Sequence, residues 1–288
     1  MRRLTTSLVV SASVSVMLTA AGVWAQSAPG GAPFRNPNVA VHAVEKKAFS
    51  EARRHELALY PVAVQINGKF TQHVGSALSY VYHLQERFGF QISPIFNWHS
   101  SPSGFNRELE NKLGASADPA NSLLLNWGVH AGVEATPIYG KFTFHNGTLG
   151  RFSLVLSGGA GIGATRHQLK SEDPTTGSAT YGAIGNKFIG SLGGGLKLEI
   201  AQRYAIRLEV RDVIYTARVD KVNGCTLEDL NGLQDDPTNL VNSGSCKAEK
   251  FAGPYAETDI AIARTLVETP SSAVLNNLGF YAGFSVMF

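Results

Sequence analysis

Residues 281–288 read Tyr-Ala-Gly-Phe-Ser-Val-Met-Phe, and their alternation decides the fold. Phe280, Ala282, Phe284, Val286 and Phe288 fall on one face of an extended chain, and Tyr281, Gly283, Ser285 and Met287 on the other. Chain ends are usually polar and frayed, so a phenylalanine face at this position needs a cover. Period two is the signature of a half-buried strand, and the other strands of the chain show what lies against the apolar side.

The same alternation returns seven times. Residues 73–84 set Val74, Ser76, Leu78, Tyr80, Tyr82 and Leu84 against His73, Gly75, Ala77, Ser79, Val81 and His83. Residues 88–98 set Phe88, Phe90, Ile92, Phe96 and Trp98 against Gly89, Gln91, Ser93, Ile95 and Asn97. In residues 123–135, Leu123, Leu125, Trp127, Val129, Ala131 and Val133 oppose Gly128, His130, Gly132 and Glu134. Further segments begin near Phe152, Phe188 and Tyr204, and residues 55–66 alternate with a slip of phase at Pro61, which predicts a bulge.

The apolar faces are bulky and aromatic, whereas the opposite faces carry glycine, serine and charges of both signs. A soluble barrel fills its interior with the large apolar face. Here Glu134, Lys197, Glu199, Arg207, Glu209 and Arg211 share the other side, so the interior is predicted to hold a network of paired charges and the apolar side to meet lipid. Only a closed sheet satisfies every backbone group in hydrocarbon. The expected fold is therefore all-β: a closed antiparallel transmembrane β-barrel of eight strands over residues 55–288. Ten strands is the alternative if 257–267 (ETDIAIARTLV) and part of 136–150 also cross. Outer loops are expected at 67–72, 99–122, 165–185 and 220–276, and periplasmic turns at 85–87, 136–150 and 201–203. The second turn is the exception in length: with Tyr139-Gly140-Lys141-Phe142 it reads as a strand extension, a small periplasmic element or part of an additional strand. Phe105, Leu109 and Leu113 have helical spacing inside the second outer loop.

The N-terminus reads as an export signal over residues 1–25: Arg2 and Arg3, an uncharged stretch from Leu8 to Ala21, then Val23-Trp24-Ala25 before Gln26. A short periplasmic segment follows over 26–54, rich in glycine and proline, with a short helix suggested from Val41 to Arg53. Removing the signal takes away two arginines and no acid. The mature chain is then nearly neutral and offers no field for nucleic acid. The expected setting is the bacterial outer membrane, with its lipid and lipopolysaccharide as surroundings.

Cys225 and Cys246 suit an oxidising compartment and are expected to close one loop, worth about 3 kcal/mol in the chain-entropy picture. Glu228, Asp229, Asp235 and Asp236 lie between them, in a loop (220–276) suited to contact with another envelope protein. No cofactor or metal site is expected. His73, His83 and His130 fall on inward faces, where they read as hydrogen-bonded filling rather than a catalytic set, and Ser76 is the hydroxyl that interrupts the lipid face of its strand. The glycine groups at 158–163 and 193–195 lie inside strands, not between a strand and a helix, which excludes a phosphate loop. An enzyme is not expected. A narrow porin-like channel is the alternative function, and a lipid-modifying enzyme a weaker one.

Two resemblances rest on particular residues. Tyr281, Gly283, Val286 and Phe288 resemble the terminal-strand signal that directs bacterial outer-membrane barrels to their assembly machinery. Arg54-His55-Glu56-Leu57, Gly75–Phe90, Pro137-Ile138-Tyr139-Gly140-Lys141-Phe142 and Gly159-Ala160-Gly161 resemble the small outer-membrane beta-barrel domain family of myxobacterial-type envelopes, with an OmpA-like barrel, over about residues 41–288. That resemblance implies a noncatalytic structural or anchoring role, some members being linked to gliding-motility machinery. Contacts with other envelope proteins would then run through loop 220–276 or turn 136–150.

Overall fold

A computed structural model describes residues 50–67, 70–105, 108, 123–143, 149–170, 176, 179–200, 203–236 and 245–288. The expected export signal (1–25), the expected linker through residue 49 and most of the helical reading of loop 99–122 lie outside them. Residues 50–53 form a turn rather than the end of a helix.

Eight strands pair in sequence order and close on themselves: β1 (His55–Asn67), β2 (Thr71–His83), β3 (Phe88–Pro102), β4 (Leu124–Thr143), β5 (Leu149–Gln168), β6 (Tyr181–Glu199), β7 (Tyr204–Thr216) and β8 (Val274–Met287). All neighbours run antiparallel. The seam joins β1 to β8, where the His55 N–H donates to the Phe288 carbonyl at 3.0 Å and the Phe288 N–H returns to His55 at 2.9 Å. The two rings stack there with centroids 5.7 Å apart.

Alternation maps onto inside and outside. Phe90, Ile92, Phe96, Trp98, Val133, Leu156, Ile162, Phe188, Leu192, Leu208, Phe280 and Phe284 all stand exposed on the outer surface, while Glu56, Lys197, Arg207 and Arg211 are buried inside. A band of this kind around a closed barrel matches the lipid-facing surface of a transmembrane barrel.

Irregularities fall where local sequence breaks the period. Pro61 and Val62 both face outward, because the register shifts between Tyr60 and Ala63 and the inward series resumes at Ala63. The Pro61 carbonyl, displaced from the ladder, accepts from the Ser76 hydroxyl at 2.9 Å. Ser76 in turn accepts from the Trp98 indole at 3.3 Å. The serine hydroxyl on that lipid face is thus engaged in satisfying a backbone group that hydrocarbon would leave bare.

One sequence expectation is overturned, and two open alternatives are decided. Leu123 and Leu125 were assigned to lipid, but a bulge between Leu125 and Trp127 inserts one residue and turns both into the interior, fully buried. Of the readings open for 136–150, the strand extension holds over its described residues, 136–143 and 149–150. β4 and β5 pair from Ala135 past a bulge at Ile138 to Thr143↔Leu149, beyond the pairing of β3 with β4, which ends at Phe88↔Ala135. Pro137 breaks the phase without ending the strand, and Phe142 packs on Phe152 across the hairpin at 6.3 Å. Residues 257–267 are no strand: they lie in a helix, Ala256–Glu268, whose Ile260, Ala263 and Leu266 are buried at helical spacing. The count is therefore eight.

The long loop between β7 and β8 folds into a cap. Helix α1 (Leu227–Asp235) starts in a reciprocal capping box: the Thr226 side chain accepts from the Asp229 N–H, and Asp229 accepts from the Thr226 N–H. A 3-10 turn (Ala248–Phe251) and helix α2 (Ala256–Glu268) follow. The disulfide between Cys225 and Cys246 ties the two ends of the α1 segment together.

Candidate functional site

The interior is filled along its length by one connected set of side chains. At the end nearest the short turns, Glu56 from β1 reaches across the barrel. Its two oxygens meet Lys197 Nζ at 2.7 Å and Arg207 Nη1 at 2.9 Å, and His83 Nε2 lies 2.8 Å away. Lys197 and Arg207 are direct cross-strand neighbours, a like-charge pairing that is unfavourable by itself. A carboxylate bridging both cations removes that conflict. Glu51, in the turn ahead of β1, is 1% exposed and adds a second carboxylate at 3.3 Å from Lys197. Arg207 also pairs with Glu134 of β4 through Nη2.

One row further in, Glu209 accepts from Arg207 Nε at 2.8 Å and Arg211 at 2.7 Å, and from the Tyr60 hydroxyl. The Arg211 guanidinium lies 5.1 Å from the ring centroids of both Tyr60 and Tyr281 and donates to Ser93 Oγ at 2.7 Å. Room for these side chains comes from glycine directly opposite. A Cβ at Gly195 would stand 2.5 Å from Glu209 Cγ, and one at Gly193 2.7 Å from Arg211 Cγ. The glycine run in β6 is thus the complement of the charges in β7, not a ligand loop.

Above the charges the lining becomes neutral. Gln65 donates to the Tyr281 hydroxyl at 3.1 Å and to Asn97 at 3.3 Å, and Asn97 donates to the Leu125 carbonyl at 2.9 Å. His73 bonds Ser100 Oγ at 2.9 Å. The Tyr215 hydroxyl donates to the Leu123 carbonyl at 3.0 Å and accepts from Asn277 at 3.2 Å. Higher still, Leu123, Leu125, Ile189 and Val213 join Leu169, Ile184, Val222 and the cap residues Leu230, Leu233, Phe251, Ile260 and Leu266 in one apolar cluster.

Of the predicted interior charges, Glu134, Lys197, Arg207, Glu209 and Arg211 meet in this network. Glu199 is also buried and stands opposite Arg151 in the β5–β6 register, one row nearer the turn. Sequence reasoning missed Glu56, Tyr60 and Glu51. The first two belong to the polar face of β1 on the near side of the Pro61 slip, so carrying the parity of Glu56, Ala58 and Tyr60 separately from that of Ala63 and Gln65 would have found them. Glu56, His83 and Glu134 bring ligand atoms within 4.8 Å of one another, a spacing that could hold a metal ion. Lys197 and Arg207 already supply the positive charge there. Of the four acidic residues between the cysteines, Asp229 is engaged in capping α1 rather than free for a cation.

Tyr281 and Gly283 of the terminal-strand motif face inward, and Phe288 faces outward. A Cβ at Gly283 would meet the Leu59 carbonyl oxygen at 2.1 Å, so glycine lets β8 approach β1 at the bulge.

No family model matches the sequence, and no curated protein matches it. Among solved structures, the chain is similar to the Neisserial surface protein A (NspA), with a TM-score of 0.34, 10% identity, and coverage of 82% of this chain and 98% of that one. It is also similar to Ail, the attachment invasion locus protein of Yersinia pestis, solved with the heparin analogue sucrose octasulfate, with a TM-score of 0.30, 9% identity, and coverage of 82% and 97%.

Proposed function

We propose that this chain is a noncatalytic outer-membrane protein whose sealed barrel anchors a disulfide-tied surface cap in the cell envelope. The observation that carries the reading is the filled interior. Arg207 and Arg211 are fully buried by their partners, and the apolar cluster of the cap and upper barrel lies beyond them. An eight-stranded barrel is just wide enough for side chains to fill it. The outward band of Phe90, Leu192, Phe280 and their neighbours supports membrane insertion, and the short turns and long loops support the outer-membrane orientation. Steady planar-bilayer current from the folded protein would overturn the sealed-anchor reading in favour of a narrow channel. Silence from protein shown to be inserted supports it.

The finer reading is a component of envelope-spanning machinery of the gliding-motility type. Its support is the resemblance of Gly75–Phe90 and Pro137–Phe142 to barrels of myxobacterial-type envelopes. The cap over 220–276 is the surface for that contact, and the end of the β4–β5 hairpin is the corresponding surface on the other side. The terminal strand serves recognition by the assembly machinery, and lipid and lipopolysaccharide surround the barrel. Crosslinking in intact cells from the exposed Asn231 or Gln234 of α1 tests the cap contact: recovery of lipid alone would remove the machinery reading and leave the anchor.

A further inference from the structure

One face of the band breaks the apolar rule. Asp212 of β7 lies on the outward series with Val210, Ile214 and Thr216, between Leu192 of β6 and Leu278 of β8 in register. One of its carboxylate oxygens is covered by surrounding atoms yet takes no hydrogen bond. An acid on a lipid face is costly, and its presence marks a place where something supplies hydrogen-bond donors.

Depth narrows the choice. Asp212 is eight residues along β7 from Tyr204, whose exposed ring marks the turn-side edge. At about 3.3 Å per residue and a tilt of about 40°, it lies roughly 20 Å above that edge, in a band about 25 Å tall. It therefore sits just beneath the outer headgroups. Polar groups continue upward on the same face. Thr216 and Asn276 are exposed, and the exposed Arg218 follows two residues beyond Thr216. Arg218 is paired with Asp220 at 2.7 Å. Beside Asp212, Gly190 leaves a shallow notch: a Cβ there would meet nothing nearer than Ile214 at 4.0 Å, unlike the crowded inward glycines.

We propose that this strip binds a phosphorylated glycolipid of the outer leaflet, of the lipopolysaccharide class. An acyl-chain hydroxyl or amide N–H just below the sugar donates to Asp212, and a phosphate above it meets Arg218. The inference rests on the outer-membrane reading, since it takes the long-loop side as the outer leaflet. A glycerophospholipid has phosphate but neither the amide N–H nor the acyl hydroxyl at that depth, so an acid there discriminates between the two lipid classes.

The test is native mass spectrometry of the full chain, inserted in phosphatidylglycerol nanodiscs and titrated with purified lipid A. The wild type is expected to hold one lipid A against excess phosphatidylglycerol. Asp212→Leu should weaken binding about tenfold or more, the loss expected when a charge-assisted hydrogen bond goes. Arg218→Ala should weaken it less, and only for lipid A that carries phosphate. Asp212 faces away from the interior network, so the leucine variant should show wild-type heat-modifiable mobility. If it does not fold, Asp212→Asn takes its place, with a smaller loss of binding expected. Unchanged lipid A binding in the folded variant overturns the proposal, as does equal retention of phosphatidylglycerol. Loss of a protein crosslink with no change in lipid also overturns it. Failure of the wild type to enter bilayers at all would instead overturn the outer-membrane reading.

Discussion

Truncating Glu209 to alanine tests the interior network where its consequences can be counted. The carboxylate serves two arginines and a tyrosine, but their fates differ once it is gone. Arg207 keeps Glu56 at 2.9 Å and Glu134 as ionic partners. Arg211 keeps only neutral ones, Ser93 Oγ at 2.7 Å and the Tyr60 hydroxyl at 3.3 Å, with the faces of Tyr60 and Tyr281 nearby. The variant therefore leaves one buried guanidinium without an anion, not two. Removing one partner of a buried pair costs about 3–5 kcal/mol, and most of that cost comes from the charge left behind. Replacing Arg211 by methionine in the same chain removes that charge, so Glu209→Ala with Arg211→Met should be more stable than Glu209→Ala alone. A coupling of about 2 kcal/mol is expected from such a contact. Urea unfolding in lipid vesicles, followed by tryptophan fluorescence and by heat-modifiable mobility, measures both quantities. A single-variant loss below about 1 kcal/mol would refute the account of the network, and so would strict additivity of the two substitutions.

Other consequences follow from the same geometry. Gly195→Ala would place a Cβ 2.4 Å from the Leu208 carbonyl oxygen, whereas Gly190→Ala meets open space, so the first should lower the unfolding midpoint clearly and the second hardly at all. Replacing Cys225 and Cys246 together by serine should cost the cap about 3 kcal/mol while leaving the barrel intact. Limited trypsin digestion at Lys247 and Lys250 should then become fast without loss of heat-modifiable mobility. In the cap, burial pushes the Asp259 carboxyl above the usual aspartate range, although the Thr180 hydroxyl donating at 2.7 Å and Lys170 oppose the rise. A raised carboxyl favours the docked cap when protonated. Its contribution is present below the ordinary aspartate value and is lost as pH rises through the folded one. Hydrogen exchange in α2 should accordingly slow as pH falls through that window, after correction for the intrinsic rate, and Asp259→Asn should remove the dependence.

Much of the architecture was legible because side-chain parity along a strand is local. Phe280, Phe284 and Phe288 declare their common face within nine residues, and Arg207, Glu209 and Arg211 theirs within five. The slip at Pro61 was legible for the same reason, since proline removes a ladder donor. Errors came where one inserted residue reverses parity. Nothing in Leu123–Trp127 by itself distinguishes a strand facing lipid throughout from one that bulges at Asn126. The segment of helix α2 stays open in the sequence because ETDIAIARTLV satisfies a period of two loosely and a period of 3.6 well, and its burial against α1 and the barrel rim decides between them.

The sequence by itself determined that the apolar half of each strand faces one way and the charged half the other, that the sheet must close, and that two cysteines sit where a loop could be tied. Each of these follows from neighbours a few residues apart. Only the tertiary structure decided which inward groups share a level: that Glu56 of β1 bridges Lys197 and Arg207, that Glu51 enters the same cluster, and that Arg211 lies between Tyr60 and Tyr281. Closing a ring of tilted strands staggers each against the next, so the height of a side chain in the interior depends on every register and bulge around the barrel at once.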